Sequence, residues 1–146
     1  MVSGINATRK NPHYLPDIEL PPAVTAFADL GTAVTDADLV VFAVPSHVFR
    51  SVAEQVKPWL NPSQYLVSLT KGIENETFYT MSQVLAEVTA DAVPDEHIGV
   101  LSGPSHAEEV ARDMPTTAVA AAYSKRAALI IQDVFHSPSL RIYVNQ

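Results

Sequence analysis

The 146-residue sequence contains no cysteine. That excludes disulfides, zinc–thiolate centres and a thiol nucleophile. Charge is scarce: 17% of residues are charged, acidic residues outnumber basic ones, and the net charge is −7. The nine Lys and Arg residues form no cluster. Affinity for nucleic acid comes largely from phosphate neutralisation, so a nucleic-acid partner is not expected. No apolar run approaches the roughly 20 residues needed to span a bilayer. The N-terminal Met1-Val-Ser-Gly-Ile-Asn6 also lacks the charged-then-apolar order of a signal segment. A cytoplasmic protein without membrane association is the default expectation. Glycine is sparse: Gly4, Gly31, Gly72, Gly99 and Gly103. They form neither Gly-x-Gly-x-x-Gly nor Gly-x-x-x-x-Gly-Lys-Ser/Thr.

What is present is apolar and ordered. Hydrophobic residues make up 47% of the chain, and its length suits one domain with its own core. Residues 1–22 are proline-rich towards their end and predict an irregular, extended segment. Val24–Ala28 reads as a short strand, and Asp29 as the cap of a short helix reaching Asp36. The unbroken run Leu39-Val-Val-Phe-Ala-Val44 predicts a strand buried on both faces. Ser46 follows at a helix N-cap position, with Phe49, Val52, Ala53 and Val56 at helical spacing. Tyr65–Leu69 is a second buried strand. Thr77 is the expected cap of a helix burying Phe78, Met81, Val84, Leu85 and Val88. Ile98–Leu101 is a third strand, and Pro104 is expected to open a helix reaching about Arg112. Thr116–Ala122 leans to strand, Ser124 caps a helix, and Leu140–Val144 is a last strand. Strands of this character alternating with helices predict an α/β fold, a parallel sheet with helices on both faces.

Two strand ends carry the candidate chemistry. The run Leu66-Val-Ser-Leu-Thr-Lys-Gly-Ile-Glu74 surfaces at a lysine, and Val100-Leu-Ser-Gly-Pro-Ser-His-Ala107 ends in small polar residues before a helix. In open α/β sheets, ligands bind outside the carboxyl ends of the strands. Lys71 is therefore a candidate anion-binding cation, and Gly72 lets a ligand approach the backbone. A lysine that merely snorkels to solvent fits the pattern equally well. The segment Gly103-Pro104-Ser105 is a candidate polar-group site at a helix start, or an ordinary proline-initiated helix capped by Ser102. Ser105-His106 does not suggest a hydrolase. Gly-Pro-Ser-His-Ala is not a nucleophile elbow, and adjacent helical residues point about 100° apart. The five histidines show no i, i+4 pairing, so no metal site is expected. A doubly wound sheet usually opens on a glycine-rich turn. Either this domain binds no dinucleotide, or its first part is missing.

Five segments in order and at matching spacing identify a resemblance. They are Asn11-Pro-His-Tyr-Leu-Pro16, Asp38-Leu-Val-Val-Phe-Ala-Val-Pro-Ser46, Thr70-Lys-Gly-Ile-Glu74, Leu101-Ser-Gly-Pro-Ser-His-Ala-Glu-Glu-Val110 and Arg141-Ile-Tyr-Val-Asn145. Together they closely resemble the N-terminal domain of bacterial NAD(P)-dependent glycerol-3-phosphate dehydrogenase. The resemblance implies a partial Rossmann-like fold over residues 1–146, an incomplete NAD(P)-binding domain. It implies hydride transfer between NAD(P)H and dihydroxyacetone phosphate, giving sn-glycerol 3-phosphate for phospholipid synthesis. Lys71 resembles the lysine that meets both cofactor and substrate. Gly103 and Ser105 resemble substrate contacts, Ala107 and Tyr14 cofactor contacts, and Pro45-Ser46 a turn passing close to the dinucleotide. A homodimer of the full-length enzyme is also within what it implies. The family's glycine-rich first strand, its second strand and its helical C-terminal domain have no counterpart in these residues. The resemblance places the family's catalytic lysine beyond Gln146. The expectation is thus a fragment with no catalytic residue of its own, inactive alone, in which Leu39–Val44 has an unpaired edge. Another hydroxyacid or ketoacid reductase of the same superfamily, or a non-catalytic relic that binds a partner through its sheet edge, are the other readings.

Overall fold

A computed structural model describes residues 1–145 of the chain. Gln146, beyond which the resemblance places the catalytic lysine, lies outside the described residues. Six α-helices and five strands are present among the described residues. In chain order they are α1 (Val2–Thr8), α2 (Leu30–Val34), β1 (Leu39–Phe42), α3 (Ser46–Val56), β2 (Tyr65–Ser68), α4 (Met81–Thr89), β3 (Ile98–Ser102), α5 (Ala107–Ala111), β4 (Thr116–Ala122), α6 (Lys125–Phe135) and β5 (Leu140–Asn145). The strands form one sheet in the order β1-β2-β3-β4-β5. β1, β2 and β3 run parallel, as apolar runs joined by helical crossovers require.

Side chains alternate across each strand, so each face of the sheet gathers its own core. Val40, Phe42, Leu66 and Ile98 project towards α3 and α4, where they meet Phe49, Ala53, Val56, Val84, Leu85 and Val88. Phe49, Leu66, Leu85 and Ile98 are fully buried, each worth roughly 1.5–3 kcal/mol relative to exposure. On the opposite face Val67, Ala118, Ala120 and Ile142 pack with Ile131 of α6. That helix is capped as the sequence predicts, the Ser124 hydroxyl accepting from the Ala127 amide. Asp29 likewise caps α2 through the Thr32 amide. α6 covers β3, β4 and β5 and leaves Val41 of β1 42% exposed. β1 is an outer strand of this sheet and pairs only with β2, as the expectation of an unpaired edge had it.

Several local expectations are corrected. The sheet is mixed, because β4 runs antiparallel to β3 and β5 parallel to β4. The β3–β4 connection contains only the five-residue α5, which buries no residue. It cannot act as the packed crossover that a parallel neighbour needs, and the chain turns back instead. β4 accordingly alternates buried and exposed over Thr116–Ala120, the pattern of an antiparallel strand. The first residues form α1 and are not irregular, although no residue of that helix is buried. Val24–Ala28 is not a strand: the Asn6 side chain accepts from the Ala26 amide and donates to its carbonyl, taking the place of a ladder partner. Ser46 is the first residue of α3, not its side-chain cap. Thr80, not Thr77, opens α4, through a reciprocal capping box with Gln83. Phe78 is therefore left outside that helix, 73% exposed with φ of 58°. The helix expected from Pro104 begins only at Ala107.

Candidate functional site

β2 delivers Lys71 to the carboxyl edge of the sheet, and the backbone there is held on both sides. Before it, the Leu69 amide donates to the Phe42 carbonyl at 2.9 Å, and the Thr70 hydroxyl to the Val44 carbonyl at 2.7 Å. The end of β2 is thereby stitched to the end of β1. After it, Gly72 takes φ of +107°, a conformation that favours glycine. A Cβ there would also stand 3.3 Å from the Ser46 hydroxyl oxygen. The chain then folds back on itself, the Glu74 amide donating to the Tyr79 carbonyl and the Phe78 amide to the Glu74 carbonyl.

Glu74 is the electrostatic anchor of this loop. Arg50 of α3 grips its carboxylate with two parallel bonds, Nε to Oε1 at 2.8 Å and Nη2 to Oε2 at 2.9 Å. Both side chains are largely shielded from solvent. Arg50 also reaches Glu87 of α4 at 3.2 Å, and the Thr77 hydroxyl donates to Glu74. Hydrogen bonds from Arg50 first, then from Thr77, hold the Glu74 carboxyl down at about 2. The bonds to Glu74, and then to Glu87, push the Arg50 guanidinium further up.

β3 delivers the second arm. Gly103 packs so closely on β4 that a Cβ would fall 2.8 Å from the Thr117 carbonyl oxygen and 2.9 Å from the Ala118 Cα. Ser105 and His106 follow, and α5 begins at Ala107. Lys71 joins the two arms, its Nζ donating to the Gly103 carbonyl at 3.0 Å.

Between the arms lies a cavity of about 470 Å³. Its apolar wall includes Leu69, Leu101, Phe135 and Leu140, and its polar rim includes Thr70, Lys71, Ser102 and Ser105. His106 and Ala107 complete the side nearest α5. An apolar wall with a few convergent polar groups is the usual composition of a small-molecule site. The structure therefore brings Lys71, Gly103, Ser105 and Ala107 together. It does not bring Tyr14 to them: that side chain is 71% exposed in the N-terminal loop and does not line the cavity. Ser46 lies close to Gly72 but outside the cavity lining. A shallower hollow of about 300 Å³ beside Gln83, Gly99 and Tyr123 offers no charged group. No cluster of His, Asp and Glu able to hold a metal ion exists among the described residues. No helix among them is long and apolar enough to cross a membrane.

The chain's glycines provide no pyrophosphate cradle. The cavity, with one cation on its rim and an apolar wall, suits a small anionic molecule. Thr70 and Glu74 lie within the segment Leu66–Glu74 that the sequence singles out, but Arg50 lies in none. Arg50 stands on the polar side of α3 with Ser46, His47 and Glu54, where nothing local marks it.

Comparison with known proteins adds independent findings. The model of the family described as "NAD-dependent glycerol-3-phosphate dehydrogenase N-terminus" matches residues 1–128. A glycerol-3-phosphate dehydrogenase [NAD(P)+] of Salinibacter ruber is 50% identical over 144 residues, covering 99% of this chain and 42% of that protein. One from Pelotomaculum thermopropionicum is 48% identical, covering 97% of this chain and 40% of its own length. The chain therefore spans about two fifths of the length of the curated relatives it matches. Among solved structures, glycerol-3-phosphate dehydrogenase from Coxiella burnetii superposes with a TM-score of 0.89 at 28% identity, over 99% of this chain and 43% of that one. The Plasmodium falciparum enzyme superposes with a TM-score of 0.90 at 29% identity, over 99% and 40%.

Proposed function

Since the chain belongs to the NAD-dependent glycerol-3-phosphate dehydrogenase family, in its N-terminal portion, we propose that residues 1–146 are the NAD(P)-binding part of an enzyme interconverting dihydroxyacetone phosphate and sn-glycerol 3-phosphate. The observation that carries this reading is the meeting of Lys71 and Ser105 in one cavity at the carboxyl ends of parallel strands. NAD(P), when bound, supplies or accepts the hydride. The residues of this chain bind and orient. Lys71 offers a cation to an anionic or carbonyl oxygen. Ser105, with Gly103 just before it, belongs to the substrate side, and Ala107 meets the cofactor. Tyr14 belongs to this reading only through a movement of its loop towards the cavity. The apolar wall of Leu69, Leu101 and Phe135 excludes water around the reacting atoms. The product would enter phospholipid synthesis in the cytoplasm.

The test is a titration of the isotope-labelled chain with dihydroxyacetone phosphate, followed by amide chemical shifts. Shifts centred on Lys71, Gly103 and Ser105, reduced in Lys71→Met, are expected. Shifts that spare these residues, or saturable binding indifferent to Lys71→Met, would overturn the assignment.

A further inference from the structure

We infer that Arg50 and Glu74 are positioning residues, a clamp that ties the loop carrying Lys71 to helix α3 and so sets where the lysine stands in the cavity. This rests on the reading of Lys71 as the ligand-facing cation.

Geometry carries the inference. Arg50 stands on α3 beside Phe49, which is fully buried, so its base is rigid. Its guanidinium meets Glu74 in the fork arrangement, which fixes orientation as well as distance. Glu74 is also fixed through its main chain, by Tyr79 and Phe78. On the other side of Lys71, the Thr70 hydroxyl is bound to the Val44 carbonyl at 2.7 Å. Only Lys71, Gly72 and Ile73 lie between these anchors, which are about 13–14 Å apart at full extension. The loop has little slack while both anchors hold. An isolated exposed ion pair contributes little. This one is shielded, bidentate and shared with Glu87, the circumstances in which such a pair holds a geometry. Neither residue lines the cavity that holds Lys71, so any effect on ligand binding must pass through the loop.

The experiment uses the whole chain in four forms: wild type, Arg50→Met, Glu74→Gln and the exchanged pair Arg50→Glu with Glu74→Arg. Amide hydrogen exchange reads the loop, with the Glu74 and Phe78 amides as reporters. The affinity for dihydroxyacetone phosphate, with inorganic phosphate as the simpler probe, reads Lys71. Both single variants should lower protection of the two reporter amides by roughly fivefold and weaken binding by a similar factor. β2 and β3 should keep their protection, and the exchanged pair, which turns a carboxylate at position 50 towards Glu87, should recover neither loss. Unchanged reporter amides in Glu74→Gln overturn the clamp, even if Arg50→Met fails to fold. Protection lost uniformly across the sheet also overturns it, since the pair would then only stabilise the fold. A wild-type chain that binds neither probe counts against the proposed function, and the exchange data then decide the clamp alone.

Discussion

The two arms of the cavity share one sequence grammar, an apolar strand ending in small polar residues, yet they are held in opposite ways. The Lys71 arm is fastened by side chains: Thr70 to the end of β1, and Glu74 to Arg50 on α3, which packs on the sheet through Phe49, Ala53 and Val56. The Gly103 arm is fastened by the lack of a side chain. Gly103 lies against the backbone of β4, and the short α5 beyond it buries nothing. One arm is thus held by charge and hydrogen bonds, the other by close packing. Lys71 spans them with a single bond to the Gly103 carbonyl. A site built this way has one wall set by electrostatics and one by sterics, and the two should fail under different insults.

The largest expected effect is on the steric wall. Gly103→Ala should lower stability by an amount near the upper end of the roughly 1–3 kcal/mol seen for overpacking, because the atoms it meets are backbone and cannot swing aside. A denaturant midpoint within error of wild type would show that β4 yields freely there, and the contrast between the arms would fall. Gly72→Ala should cost less, about 1–2 kcal/mol, through strain at φ of +107°. Its Cβ would meet only a serine side chain at 3.3 Å. Melting of the two glycine variants side by side ranks them, and a reversed order would refute the distinction between the walls.

The smallest effect at neutral pH appears only on acidification. Glu74 titrates well below the usual carboxylate value of 4.5, at about 2. The stability its pairing contributes is therefore fully present above about pH 4.5 and is lost as pH falls towards 2. Arg50 and Thr77 bond Glu74 directly, Glu87 shares Arg50, and Glu54, Glu76 and His47 line a surface hollow together with Glu74. Amide exchange followed from pH 5 downward should loosen the Lys71 loop before the Gly103 arm. Simultaneous loosening of both arms would mean that the anchors are not independent.

Much of this architecture is legible in the residues. Leu39–Val44 is an unbroken apolar run, Tyr65–Leu69 and Ile98–Leu101 are mostly apolar, and each contains a parallel strand. Asp29 and Ser124 are caps whose side chains do what their positions predict. The misreadings have local causes. A capping box at Thr80 outcompetes Thr77, and Asn6 satisfies the backbone of Ala26 in place of a neighbouring strand. Lys71 and Ser105 could be named because strand ends are where open sheets place ligands. Arg50 could not, because its partner lies 24 positions away and only the docking of α3 brings them together.

The sequence by itself determined the five strands and the capped helices α2 and α6, since hydrophobic period and caps act within a few residues of each other. Tertiary structure alone decided that β4 would run back against β3, because α5 is too short to cover a crossover. It alone placed the Lys71 ammonium on a carbonyl 32 positions further along the chain. Such contacts depend on where whole elements pack, and no local pattern encodes that.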